Sequence, residues 1–116
     1  MTKTKFEEIL TKNKISPQKY LQAVQVKAMY YDYDWESITF ATDKTHKLQM
    51  TRPDGKIIKF GAVNYNDFII YGFLAKQKKI TYDEALKKRD LFHKRMASES
   101  DDNMYSARNL SLVLLW

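Results

Sequence analysis

The sequence predicts an α+β domain, and three observations predict it. Residues 38–60 alternate apolar and polar side chains at the period of strands, the flanking stretches repeat apolar residues at helical spacing, and turn residues separate the two kinds of stretch. The expected product is a three-stranded antiparallel meander packed with about four to five helices, in a single domain over residues 1–116.

Taken in order, Thr4 is placed to cap a short helix with Phe6, Ile9 and Leu10 on one face, stopping near Asn13. Ser16 followed by Pro17 marks a second helix, because proline at its first position gives up an amide that has no partner there. Leu21, Val24, Ala28 and Tyr31 then recur on one side, with Lys19 and Lys27 away from it. Tyr30, Tyr31, Tyr33 and Trp35, interrupted by Asp32 and Asp34, read as a helix exit into a strand. As a base-stacking platform this cluster would carry two acids that repel phosphate, so packing is favoured over stacking.

Three strands follow. Ile38 and Phe40 alternate with Thr39 and Ala41, Leu48 and Met50 with Lys47 and Gln49, and Ile58 and Phe60 with Ile57 and Lys59. Thr42 to Thr45 supplies the first turn, and Arg52-Pro53-Asp54-Gly55 places proline and glycine as a type I turn requires.

The least polar stretch runs from Lys56 to Leu74 and changes period at Gly61, which suits a tight corner because it lacks a Cβ and tolerates positive φ. A buried helix is expected from about Tyr65 to Lys76, with Asn64 and Asp67 satisfying amides at its start. Gly72 in its middle costs about 1 kcal/mol relative to alanine, which predicts a neighbour packed close against it.

Thr81 and Glu84 form a capping box for a helix reaching about Ala97. Tyr82, Ala85, Leu86, Phe92 and Met96 share one face, and Lys87, Lys88, Lys94 and Arg95 share the opposite one around Leu91. Arg89 falls in the middle of the apolar face, where a guanidinium needs a carboxylate. Asp67 and the terminal carboxylate of Trp116 are the two candidates, and Arg89 with Asp67 is the structural ion pair expected. Ser98–Asn103 reads as a polar acidic loop, and Ser106 as the cap of a closing helix with Leu110, Val113 and Leu114 inward, although the alternation in NLSLVLL also permits a strand.

At this length about two-thirds of the unfolded surface can be buried, so a core needs no staples. The absence of cysteine excludes disulfides, thiolate zinc sites and thiol catalysis, and favours an intracellular compartment or a virion. The start MTKTKFEEIL is too charged for a signal peptide, and no apolar run approaches the roughly 20 residues that span a bilayer, so no membrane partner is expected.

His46 and His93 have no second histidine at ligand spacing, no glycine-rich phosphate loop is present, and Ser106 and Ser111 lack a paired base. An enzyme, a metal site and a cofactor are therefore not expected. The cations are better organised, in a chain of net charge +6. Lys44, Lys47, Arg52, Lys56 and Lys59 decorate the meander and its turns, and Lys87, Lys88, Lys94 and Arg95 form a stripe on the following helix. If both sets face one way, they bind nucleic acid, DNA first, through phosphate contacts and without sequence preference. The bland alternative is a solvated lysine-rich face. The other reading is a structural or adaptor protein docking on other proteins through aromatic surface such as Tyr30 to Trp35.

The segments GKIIKFGAVNYNDFIIY, EALKKRDLFHKR and YSARNLSLVLLW, with ISPQKYLQ nearer the start, resemble a family of small, basic, uncharacterised proteins of large DNA viruses and their relatives. The shared pattern is an FG corner (Phe60, Gly61), Tyr65, an acid followed by an aromatic (Asp67, Phe68), a helix with Arg89, Phe92 and Arg95, and a closing segment with Tyr105, Ser106, Asn109, Leu110, Leu115 and Trp116. Ala107 departs from it, standing where the pattern commonly has proline. The resemblance implies a viral source, hence the host cytoplasm or nucleus or the virion, and a shared fold. It raises two readings, a protein associated with the viral genome and a virion structural protein or minor capsid component docking on viral proteins, and it carries no catalytic residue.

Overall fold

The computed structural model describes residues 3–97 and 103–116. Among these it contains α1 (Lys5–Lys12), α2 (Pro17–Tyr30), a 3-10 turn (Trp35–Ser37), β1 (Thr39–Phe40), β2 (His46–Thr51), β3 (Ile57–Ala62), α3 (Phe68–Lys76), α4 (Tyr82–Ala97) and α5 (Ala107–Leu110), which runs into a π-helical turn at Ser111–Leu115. The fold is α+β, with the strands in the order β1-β2-β3 and both pairings antiparallel. The expected acidic loop lies, up to residue 102, outside the described residues.

The helix starts follow the chemistry of their first residues. Thr4 and Glu7 form a reciprocal capping box on α1, the Ser16 side chain accepts from the Lys19 amide, and the Thr81 hydroxyl accepts from the Glu84 amide at 3.1 Å. Ser106 caps α5 through the Asn109 amide, so the closing segment is helical and not a strand. For α3 the cap is Asp67 and not Asn64, and the helix begins three residues later than the expected Tyr65. The Arg52–Gly55 turn closes with the Gly55 amide on the Arg52 carbonyl at 2.9 Å.

The core joins Phe6 and Leu10 of α1, Tyr20, Val24 and Ala28 of α2, Leu48 and Met50 of β2, Phe60 of β3, Ile70 of α3, and Leu110, Leu114 and Leu115 of the closing segment. Phe6 and Tyr20 meet edge to face with ring centroids 5.0 Å apart, a geometry worth about 0.5–1.5 kcal/mol beyond the area buried. Leu48, Met50 and Phe60 are buried as the alternation requires, and register sets Leu48 against Phe60. Tyr33 is also buried, its hydroxyl donating to the Met104 carbonyl at 2.9 Å, and Trp35 packs on the core, whereas Tyr30 and Tyr31 are exposed.

Three side chains correct the sequence reading. Lys47, expected on a solvated face, is buried, because α1 and α3 bring Phe6 and Asp67 to that side of β2. Its ammonium donates to Asp67 at 2.8 Å, the Tyr20 hydroxyl donates to the same oxygen at 2.6 Å, and the other oxygen accepts from the Ile70 amide at 2.8 Å. Burial first, and the adjacent carboxylate second, push the Tyr20 hydroxyl well above its ordinary range, so it stays a donor. The expected Arg89–Asp67 pair is accordingly not formed: both Asp67 oxygens are taken. Gly72 is the third correction, since nothing lies within 4 Å of where its Cβ would stand.

Gly61 is the opposite case. Its φ of +78° is left-handed, and an added Cβ would meet Leu115 Cδ1 at 2.9 Å and Lys47 Cδ at 3.2 Å. Gly61→Ala is expected to cost about 2 kcal/mol or more from strain and overlap, whereas Gly72→Ala, in an open helix interior, should be neutral or stabilise by up to ~1 kcal/mol. Urea unfolding of the two variants checks the contrast. Lys47→Met and Asp67→Asn should each cost about 3–5 kcal/mol by stranding the partner, and the double variant should be more stable than either single one in the same titration.

Candidate functional site

Three helices each offer one stripe to a shared groove. On α2 the stripe is Lys27 with Tyr31 one turn on; on α3 it is Phe68, Gly72 and Lys76, with Ile69 and Phe73 beside it; on α4 it is Tyr82, Arg89 and His93, flanked by Asp90 and Lys94. The groove encloses about 1020 Å³, with the bare backbone of Gly72 in its floor and Trp116 at one side.

Its electrostatics are one-sided. Lys27, Lys76, Arg89 and Lys94 line it, and among the described residues Asp90 is the one acidic lining residue. Arg89 lies with its guanidinium carbon 5.0 Å from the Phe68 ring centroid, half-exposed, and its Nε stands 3.9 Å from Asp90 Oδ1, too long for a tight pair. Lys76 sits over Phe73 at 5.8 Å. Burial lowers the Lys27 ammonium from its ordinary range, the Asp67 charge opposes that, and the Arg89 charge adds to it. Tyr82, expected inward, is exposed because it stands at the first turn of α4, on the groove's rim.

A second cavity of about 530 Å³ lies across Trp116, lined among others by Lys47, Gly61, Tyr65, Phe92, Arg95 and Arg108. The Trp116 ring stacks on Phe92 with centroids 4.2 Å apart and planes 5° from parallel, and its carbonyl oxygen is 3.1 Å from His93 Nε2. Trp116 therefore contributes a wall to both cavities, and among the described residues it forms no ion pair with Arg89.

The predicted cations do not converge on one site. Lys94 lines the larger groove, and Lys47 and Arg95 line the smaller cavity; Lys44, Arg52, Lys56, Lys59, Lys87 and Lys88 line neither. Arg52 pairs with Asp54 at 3.0 Å and Lys59 with Asp43 at 3.3 Å. Asp43, held well below the usual carboxylate range chiefly by the His46 amide, also accepts from Thr45 and so organises the β1–β2 turn. Lys44, Lys56 and Lys87 are exposed, Lys88 lies over Tyr71 at 5.3 Å, and Arg95 over Phe92 at 5.3 Å. Sequence reasoning missed Lys27, Tyr31 and Lys76 as site residues. The four-residue spacing of Lys27 and Tyr31 could have put them on one stripe, but the sequence reading set Lys27 away from the face of Tyr31; no local signal showed that α3 exposes the flank carrying Gly72.

A family model, described as a family of unknown function (DUF5754), matches residues 36–72. The matched segment is the meander and its corner. It reaches from the 3-10 turn to Gly72 and so contains both Lys47 and Asp67, and it covers less than half of the chain. Comparison with curated proteins and with solved structures finds no match. Among the described residues there is no group of side chains arranged to hold a metal ion, and no helix is long and apolar enough to cross a membrane.

Because Arg89 is half-exposed and loosely paired, Arg89→Met is expected to shift stability by no more than about 0.5 kcal/mol. Thermal unfolding reads this directly, and a large loss would mean that the guanidinium holds the helices together.

Proposed function

We propose that the chain is a small basic viral protein that binds nucleic acid non-specifically through phosphate contacts, without chemistry of its own. The observation that carries this reading is the gathering of Lys27, Lys76, Arg89 and Lys94 around one groove in which, among the described residues, Asp90 is the single acidic lining residue. Cations so placed lower the potential energy of a polyanion and release its counterions, which needs no base-specific geometry. Interleaved rings add sequence-tolerant contact, since every base has a π-face. The meander is the weaker candidate surface, because Lys47 is buried and Arg52 and Lys59 have acidic partners.

A second reading is a virion structural or adaptor role. Val26, Met29 and Tyr30, exposed by 64%, 51% and 81%, leave the outer side of the end of α2 apolar and open to a protein partner. The aromatic docking surface is then narrower than Tyr30 to Trp35, since Tyr33 and Trp35 turn inward.

Titration of a labelled single-stranded oligonucleotide at 50 and 200 mM salt tests the first reading. Contact with three or four phosphates predicts a roughly 20- to 50-fold loss of affinity between the two conditions. Replacing Lys76 and Lys94 with glutamine should shallow the salt slope by about 1 or more, while replacing Lys44 and Lys56 should leave it unchanged. Binding unaffected by the groove pair rejects the groove as the site. Absence of binding, together with co-purification with capsid proteins after genome removal, would favour the adaptor role.

A further inference from the structure

We infer that the α2–α3–α4 groove takes one nucleotide of a single strand, its base against the groove's rings and its phosphate toward Lys27, Arg89 and Lys94. This rests on the nucleic-acid reading and specifies what enters the groove.

Phosphate binding alone would need only exposed cations, and Lys44, Lys56 and Lys87 would serve as well. The groove differs from such a surface in depth, in rings and in the state of its cations. Its floor is open at Gly72, where a side chain would meet nothing within 4 Å, and its volume of about 1020 Å³ is at the upper end of the ~300–1,000 Å³ typical of small-ligand sites. Tyr31 and Tyr82, exposed by 49% and 60%, leave ring area uncovered at the rim, one from α2 and one from α4. Phe73 offers a third ring from α3. A planar base can cover that surface; a duplex cannot, because its bases hide their faces in their own stack.

The cations point to the other half of the ligand. Lys27 and Arg89 line the same groove, Lys27 partly buried, its ammonium disfavoured first by burial and further by the Arg89 charge. A phosphate between them supplies the counter-charge that Asp90, at 3.9 Å from Arg89 Nε, supplies only weakly. Arg89 is already oriented by the Phe68 face, so little side-chain freedom is lost when it engages. In the smaller cavity, which Arg108 also lines, Lys47 is committed to Asp67 and Arg95 lies over Phe92.

The test compares deoxyadenosine 5′-monophosphate, deoxyadenosine and inorganic phosphate by calorimetry and by amide and indole NMR shifts. The nucleotide is expected to bind roughly tenfold or more tightly than either half, shifting the Gly72 amide and the Trp116 indole. Gly72→Leu, which fills the floor, should weaken nucleotide binding about tenfold or more, and Tyr82→Ala, at an exposed rim position, provides a second variant should the first fail to fold. A nucleotide that binds no better than inorganic phosphate, or shifts confined to the meander, overturns the inference. If the oligonucleotide still binds with steep salt dependence in that case, the broader reading survives without it; if neither binds, both fall.

Discussion

Asp67 is the point at which three parts of the chain are joined. One of its oxygens caps α3 at the Ile70 amide, and the other receives the Lys47 ammonium from the middle strand and the Tyr20 hydroxyl from α2. At 2% and 1% exposure, neither Lys47 nor Asp67 has water as an alternative partner. The arrangement is demanding because a buried charge is tolerated only while its partners stay within hydrogen-bond distance. It therefore fixes the relative positions of sheet, α2 and α3 more tightly than apolar packing alone, which accepts any shape of similar volume.

The groove inherits its form from that junction. With its N-terminus held by Asp67, α3 turns Ile70 into the core and leaves Gly72 facing outward between α2 and α4. The neighbouring helices then bring Lys27 and Arg89 to opposite walls. Gly61 makes this possible at the other end of the corner: its left-handed backbone lets β3 pass beneath Leu115 with no side chain between them. The site is thus a by-product of a buried polar junction some residues away: Asp67, the acid that could have met a cation here, is taken by Lys47 and Tyr20.

Much of the fold was legible in the sequence because its signals are local. Caps at Thr4, Ser16, Thr81 and Ser106, the turn at Arg52–Gly55, the corner at Gly61 and the strand alternation all depend on residues within a few positions of one another. What escaped the sequence is long-range. Lys47 alternates correctly with Leu48 and so reads as solvent-facing, but alternation says nothing about which other elements cover the second face of a strand. Arg89 was given Asp67 as partner because both stood near apolar surface; a lysine 20 residues from Asp67 reached it first. Gly72 was read as a close contact because that is the commonest reason to keep glycine in a helix, and here it borders open space. Of the candidate site only Lys94 was legible: the stripe read from the sequence, Lys87, Lys88, Lys94 and Arg95, is not the side of α4 that carries Tyr82, Arg89 and His93 into the groove, and the other walls come from α2 and α3.

One consequence of the Lys47 ammonium lying among apolar rings concerns alternative alignments of the hairpin. Successive residues of a strand point to opposite sides, so shifting β2 by a single position would present His46 or Leu48 to the carboxylate. Neither restores a compact, fully solvent-free cation there. The cluster thus acts as a key with one tooth: it admits the native alignment and raises the energy of its neighbours, adding to the pairing that the buried Leu48, Met50 and Phe60 already favour.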